Sequence, residues 1–524
     1  MNSTHPGYNK EIKCQSIRKR PKDYIFKPAE HQIKVQKYFK RSLYKGLFLY
    51  HKLGSGKSCT SIMVADNMLT EKLVDHVFVL TPGSLRKNWV SEYCRVCGNI
   101  DNKEFMKKFT FITYNYAIKK NLDKYDFNKS LIIIDEAHNL INGFKNLSEN
   151  KTALYEKIIN SNARVLCLSG TPIIQPDVLK EWKYISNLLG KPIDEYKDII
   201  DIKDEDLQGI VSFYPGDESK YPKVIVKPIQ LVPMTLKQYK VYKKVESRET
   251  KIRAMGPPNM SLLYRNPDKY NKEKTDFIKA QNYLLSRLAS NCYYNDIDVK
   301  KTYKIKDGKK IEVDKTLPDL IHKEGGWISS EKLLNKNLLN ISPKISHVLL
   351  NIIKNLNSKH VIYSFYKTKG GIQLIFSLLK HCGIKAEIFS GDVDVKKREN
   401  ILNKFNSIDN RRGKSIKVLL VTEAGAEGIS IFECNNIHIL ESSPKENRTR
   451  QAIGRVIRYK SHEKLPADEQ YVNVWRYWST IPTSENKKEA LVDELLYKRG
   501  ISLENKFNEF TDRLIKNSIE KYEL

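Results

Sequence analysis

His51-Lys52-Leu53-Gly54-Ser55-Gly56-Lys57-Ser58 is the stretch on which the fold turns. It follows an apolar run, Leu47–Tyr50, that reads as a strand, and it opens a helical pattern. A glycine-rich turn between strand and helix is the setting a phosphate-binding loop requires. Glycines let backbone N–H groups turn inward around phosphate oxygens, and the helix N-terminus adds its partial positive charge. Gly54, Ser55, Gly56, Lys57 and Ser58 are therefore candidate nucleotide ligands. Lys57 would reach the β- and γ-phosphates, and the Ser58 hydroxyl would ligate Mg²⁺. His51 stands where the strict pattern has glycine.

Further along comes Leu131-Ile132-Ile133-Ile134-Asp135-Glu136-Ala137-His138. An apolar strand here delivers two carboxylates to its C-terminal end, where open α/β sheets bind ligands. Asp135 would hold the metal and Glu136 would orient the attacking water. Ser169-Gly170-Thr171-Pro172 follows the next strand, Val165–Leu168. Its small hydroxyl residues, Ser169 and Thr171, could bond Glu136 or His138.

A second α/β region ends in Gln451-Ala452-Ile453-Gly454-Arg455-Val456-Ile457-Arg458. Arg455 and Arg458, three apart on an expected helix, share a face. Two guanidiniums so held could stabilise charge developing on a γ-phosphate. Upstream, Thr422-Glu423-Ala424-Gly425-Ala426-Glu427-Gly428 leaves strand Val418–Val421. A glycine-containing exit there permits close backbone approach to a ligand or a nucleic-acid strand.

The rest of the chain fits a two-part motor. Its 524 residues are too many for one ordinary core. Residues 26–214 and 343–480 both alternate short apolar strands with helices, the pattern of parallel α/β layers. Residues 215–342 between them lack that rhythm. They read as an inserted, lysine-rich bridging segment, with Gln281–Leu288 helical and a hairpin over Tyr303–Val313 about Asp307-Gly308. Residues 1–25 are a basic N-terminal segment and 481–524 a charged helical tail. No run reaches the ~18–20 apolar residues needed to cross a bilayer, and the polar N-terminus is no secretory signal. An intracellular, reducing setting without membrane partners is expected. The eight cysteines then read as packed thiols rather than a disulfide framework; Cys94 and Cys97 form a CxxC with no second pair at zinc spacing.

Lys and Arg number 91 against 61 Asp and Glu, a net charge of +30. Such a surface attracts phosphate polyanions. A lysine-rich, AT-biased genome would give the same excess dispersed over a solvated surface.

Taken in order, these motifs resemble a superfamily 2 helicase or translocase of the DEAH-box type. Gln32 resembles the glutamine motif that contacts adenine in that family. Thr81-Pro82-Gly83-Ser84-Leu85 resembles motif Ia, and Thr113-Tyr114 the next nucleic-acid contact. Ser169–Pro172 resembles motif III, which couples hydrolysis to movement. Val361–Phe365 resembles motif IV, Thr422–Gly428 motif V, and Gln451–Arg458 motif VI. The resemblance implies two RecA-like domains with ATP and Mg²⁺ in the cleft between them. It makes Gln32 and Gly428 nucleotide contacts, Gln451, Arg455 and Arg458 catalytic, His138, Ser169 and Thr171 coupling residues, and Thr81, Pro82, Thr113 and Thr422 nucleic-acid contacts. Leu85-Arg86-Lys87-Asn88-Trp89 is similar to the chromatin-remodeller branch. Tyr50-His51, Phe213-Tyr214 and Tyr221-Pro222 are similar to the nucleoside triphosphatase I type and early-transcription-factor small subunits of large cytoplasmic DNA viruses.

The function implied is a nucleic-acid-dependent ATPase. The favoured form is a DNA translocase of viral early transcription, in the host cytoplasmic factory and the virion. A strand-separating RNA or DNA helicase shares the same motor. An ATP-switched transcription-factor subunit docked on an RNA polymerase or a DNA-binding partner is the third reading. No nuclease carboxylate cluster flanks the core, which argues against a restriction-type motor.

Overall fold

The computed structural model describes residues 8–9, 14, 24–52, 55–83, 85–100, 103–113, 122–145, 149–170, 178–193, 196, 198–292, 302–306, 309–313, 342–368, 370–426, 429–444, 446–485 and 489–521. The chain forms two compact units, 1–218 with 503–524, and 219–502.

In the first unit the strands are β1 (Tyr8–Asn9), β2 (Gly46–His51), β3 (His76–Thr81), β4 (Phe109–Thr113), β5 (Ser130–Asp135), β6 (Arg164–Ser169) and β7 (Val211–Tyr214). Among the described residues they lie in the order β1-β4-β3-β5-β6-β2-β7. All pairs are parallel except β1 with β4. Leu47–Leu49, Val77–Leu80 and Leu131–Ile134 are buried without alternation, as strands covered on both faces must be. Two apolar clusters flank the sheet, one with Phe48, Ile132, Val165 and Trp182, the other with Leu47, Ile62, Val79, Trp89 and Leu166.

The second unit carries β8 (Lys223–Val226), β9 (Gln230–Pro233), a hairpin of β10 (Thr302–Lys306) and β11 (Lys309–Val313), then β12 (His360–Ser364), β13 (Ala386–Phe389), β14 (Val418–Thr422), β15 (Asn436–Ile439) and β16 (Tyr471–Thr480). The sheet order is β13-β14-β12-β15-β16-β8, with β9 also on β16, and its pairs are parallel. The fold is thus two RecA-like parallel α/β sheets. The hairpin pairs Lys306 with Lys309, which leaves the two-residue turn expected at 307–308, itself outside the described residues.

The segment read as a bridge falls within the second unit. Tyr242 and Val245 of helix Leu236–Met255 share a core with Ala289, Ile345 and Val348. Gln281–Leu288 is not one helix. One helix ends at Gln281 and the next begins at Leu284, because Tyr283 takes a left-handed φ of 51°. The Glu249 carboxylate accepts from Leu285 N, Ser286 N and Ser286 Oγ, satisfying the new helix start. In the tail, helix Val492–Lys516 gives its first turns to the second unit and the remainder to the first. No described helix is long and apolar enough to cross a membrane.

The cysteines depart from expectation. Cys14–Cys94 and Cys59–Cys97 are disulfide-bonded, each with Cα atoms 5.6 Å apart. The partners lie 80 and 38 residues apart in sequence, so no local spacing could reveal them. Packing of helix Lys57–Thr70 against the π-turn Tyr93–Cys97 brings one pair together.

Candidate active site

Strand β2 ends at His51, and helix Lys57–Thr70 starts after Gly56. Gly56 has φ 80°, ψ 28°, a left-handed conformation that glycine alone adopts without strain. A Cβ there would also sit 2.8 Å from Gln32 Nε2. Gln32 explains the closeness: its Nε2 donates to Gly56 O at 3.3 Å and its Oε1 accepts from Ala29 N at 2.9 Å. The side chain expected to read adenine thus spends both amide ends on backbone. Lys57 Nζ donates to His51 O at 2.7 Å and Lys52 O at 3.3 Å. The first turn of its helix holds no Asp or Glu, so the N-terminal field is left for an anion. Ser55 Oγ is buried with no hydrogen-bond partner, a group placed for a ligand oxygen. Ser58 is half-buried in the first helical turn. Gly54 lies outside the described residues.

The acidic pair ends the next-but-one strand, β5, with β6 between it and β2. Burial and the neighbouring Glu136 raise Asp135 to about 7, while Lys57 and the Thr81 hydroxyl pull the other way. A half-buried carboxyl beside a second carboxylate, offset by the loop lysine, is a site that needs added positive charge. Glu136 itself has φ 51°, left-handed and uncommon outside glycine. The turn is held by Ala137 N donating to Leu168 O at 3.1 Å and Asn139 N to Glu136 O at 2.8 Å. His138 Nδ1 lies 3.5 Å from Glu136 Oε2 and 3.4 Å from Ser169 Oγ. Ser169 thus meets His138, one of the two partners its place after the next strand suggested. Thr171 lies outside the described residues.

Thr81 is fully buried and its Oγ1 donates to Asp135 Oδ2 at 3.3 Å. Its hydroxyl faces inward, not toward a nucleic acid. Pro82 and Thr113 are half-buried at neighbouring strand ends.

In the second unit, Gln451 is half-buried in helix Glu446–Ile453. The helix stops there, so Arg455 and Arg458 do not share a helical face as expected. Gly454 begins a run of turns, as glycine does at helix ends. The arginines are instead anchored by backbone. Arg455 O accepts from Ile431 N at 2.9 Å, and Arg458 exchanges bonds with Ser461 at 3.0 and 3.2 Å. Ser461 Oγ in turn meets His462 Nδ1 at 2.9 Å, and His462 Nε2 donates to Cys434 O at 3.0 Å. Ser461 and His462 went unnoticed in the sequence because they follow the motif and match nothing.

Thr422 is buried at the end of β14. The glycine after it serves packing: a Cβ on Gly425 would lie 2.2 Å from Phe389 O. The close approach read as ligand contact is to the chain's own β13. Gly428 lies outside the described residues. A cavity of about 550 Å³ opens at these strand ends, lined by Phe365, Lys367, Ser390, Asp392, Thr422 and Arg448 among others. Lys367 pairs with Asp392, and Arg448 with Glu423 at 2.5 Å. Of these four charged residues only Glu423 fell within a motif read from the sequence.

Residues 25–174 match the family described as type III restriction enzyme, res subunit, and residues 344–460 match the helicase conserved C-terminal domain. The first match covers β2 to β6 and the second β12 to β15, and together they carry the loop, the acidic pair and the arginines. The chain is a superfamily 2 helicase-like ATPase. Three viral proteins are similar to it over most of its length. A protein of Acanthamoeba polyphaga mimivirus bearing the name of an ATP-dependent RNA helicase is 26% identical over 88% of this chain and 86% of its own length. Nucleoside triphosphatase I of Melanoplus sanguinipes entomopoxvirus is 25% identical over 82% and 69%. A termination factor NPH-I homolog of African swine fever virus is 24% identical over 91% and 76%. The Hef helicase domain of Pyrococcus furiosus is a looser likeness, with a TM-score of 0.43, 17% identity and coverage of 90% and 98%.

In this helicase-like ATPase the donor set fits a nucleoside triphosphate with a divalent cation. Ser55 Oγ and the uncapped helix start suit phosphate oxygens, and Asp135 with the Ser58 hydroxyl suits a hard metal. Hydrolysis driven by nucleic-acid binding is the activity its two domains and its relatives support.

Proposed function

We propose that the chain is a DNA-dependent translocase ATPase acting in viral early transcription, in the host cytoplasm and the virion. The observation that carries the ATPase chemistry is the placement of the Asp135-Glu136 pair at the end of β5, two strands from the loop after β2 that carries Lys57. Lys57 keeps the His51 carbonyl and turns its remaining protons to the β- and γ-phosphates. Gly54, Ser55, Gly56 and Ser58 surround the phosphates, with Gln32 bracing the loop. Ser58 and Asp135 hold Mg²⁺, which supplies charge neutralisation on the phosphates. Glu136 orients the attacking water, and His138, Ser169 and Thr171 couple its state to movement of the motor. Gln451, Arg455 and Arg458 stabilise charge on the transferred phosphoryl group, and Gly428 approaches the nucleotide.

The nucleic acid runs past Pro82 and Thr113 on the first unit and Thr422 on the second. In the 550 Å³ cavity two cations already paired with carboxylates exchange them for phosphates. Such contacts position the polymer without reading its sequence. The name of the entomopoxvirus relative supports the triphosphatase chemistry, and that of the African swine fever virus relative, a termination factor, supports a role in transcription; a viral RNA polymerase or transcription-factor subunit is the partner we propose. The name of the mimivirus relative supports the second reading, a strand-separating RNA helicase. The test is ATPase rate at fixed salt with duplex DNA, single-stranded DNA and RNA, alongside strand displacement. Stimulation by DNA without strand displacement is the expected result. Stimulation by RNA alone, with unwinding, gives the second reading.

A further inference from the structure

His51 is fully buried where the loop pattern usually has glycine, so the interior must hold it. Its Nε2 lies 2.8 Å from Ser212 Oγ. Ser212 Oγ lies 2.5 Å from Glu520 Oε1, and Phe213 N donates to Glu520 Oε2 at 2.8 Å. A carboxylate only accepts. Ser212 therefore gives its one proton to Glu520 and accepts from His51, which carries its own proton on Nε2. Burial, then the charges of Lys57 and His31, keep this imidazole neutral, well below its ordinary pKa. Nδ1 is left as a buried acceptor with no hydrogen-bond partner. The carbonyl of this same residue receives Lys57 Nζ. At the other end of the chain of bonds, Glu520 sits in the turn Ile519–Lys521, with Ile519 fully buried in the first unit's core.

We infer that Glu520 is a positioning residue for the nucleotide site: through Ser212 it fixes His51, and through His51 the backbone that seats Lys57. The inference rests on residues 51–58 holding a nucleoside triphosphate. It accounts for the one departure from the loop pattern. A side chain at that position is tolerable when a carboxylate and a hydroxyl from outside the motif hold it in one orientation.

The test is a double-mutant cycle on ATP hydrolysis, with MgATP and single-stranded DNA. Glu520→Gln keeps the shape but turns an amide toward one of its two donors. It should raise KM for ATP about tenfold with a smaller change in kcat. Ser212→Ala cuts the relay while leaving Glu520 on Phe213 N, and should reproduce that rise. Glu520→Asp should recover part of it. In a His51→Gly background, Glu520→Gln should change KM less than about twofold, because the residue being positioned is gone. An equal rise with and without His51 would show that Glu520 only anchors the tail, and an unchanged KM in Ser212→Ala would also overturn the relay. A wild-type protein that hydrolyses no nucleotide would instead remove the reading of the loop itself, and this inference with it.

Discussion

At the residue scale, the acidic pair and the lysine differ by position. Asp135 is half-buried and raised toward neutrality, whereas Glu136 stands one residue on in a left-handed turn. Glu136→Gln should abolish turnover while MgATP still binds, measured by equilibrium binding beside steady-state hydrolysis; near-normal turnover would remove the role assigned to it. Lys57→Ala should lose both, because it removes the cation that faces the phosphates. Arg458→Ala should lower kcat by about a thousandfold with little change in ATP affinity, since finger contacts strengthen in the transition state. A loss confined to affinity would make Arg458 a ground-state contact instead. The types and order of these residues were legible in the sequence. Their anchors were not: Ser461 reaches Arg458, and Thr81 reaches Asp135 at 3.3 Å, through bonds that only the fold creates.

At the element scale, strands β2, β5, β6 and β14 were read to within a residue because they are buried on both faces and form unbroken apolar runs, whereas the largely exposed β8 and β9 were not read. Helix ends were read less well. The break at Tyr283 depends on Glu249, 36 residues away in sequence from Leu285, which it caps. The two disulfides tie helix Lys57–Thr70 and the N-terminal segment to the π-turn Tyr93–Cys97. Chain entropy for loops of these lengths gives about 4 kcal/mol for each bond. Reduction with a phosphine should therefore lower the thermal midpoint of the first unit by several degrees, and mass spectrometry should pair Cys14 with Cys94 and Cys59 with Cys97. Eight alkylatable thiols in the denatured, unreduced protein would contradict the pairing, which leaves Cys167, Cys292, Cys382 and Cys434 free.

In the second sheet a row of buried neutral groups sets a pH limit. His360 Nε2 donates to Asn355 O at 3.0 Å, and His360 Nδ1 meets His438 Nε2 at 3.0 Å. His438 Nδ1 then accepts from Tyr477 OH at 2.8 Å. Every ring nitrogen is used, so an added proton breaks a bond. Burial holds His360 and His462 near about 4 against an ordinary 6.5. The unfolded chain binds protons that the folded one refuses. The stability these histidines contribute is complete above pH 6.5 and is lost as pH falls toward 4, by about 3 kcal/mol for each. Chemical denaturation followed between pH 7 and 4 checks this; a flat profile would mean the rings are hydrated.

At the scale of the whole molecule, the net charge of +30 acts on a polymer rather than on the nucleotide. Affinity for duplex DNA should fall at least about tenfold between roughly 50 and 200 mM salt, with a straight log–log dependence. KM for ATP measured at saturating DNA should move far less. A salt-insensitive affinity would point to docking on protein rather than on phosphate.

The sequence by itself determined the two parallel sheets, the phosphate loop, the acidic pair and the arginine motif. Each of these is carried by residues close together in the chain, where periodicity and spacing act. The tertiary structure alone decided that Gln32 braces the loop, that Gly425 serves β13, that the cysteines pair, and that Glu520 reaches His51 through Ser212. Those contacts join residues tens to hundreds of positions apart, and no local pattern encodes which of them packing will bring within hydrogen-bond reach.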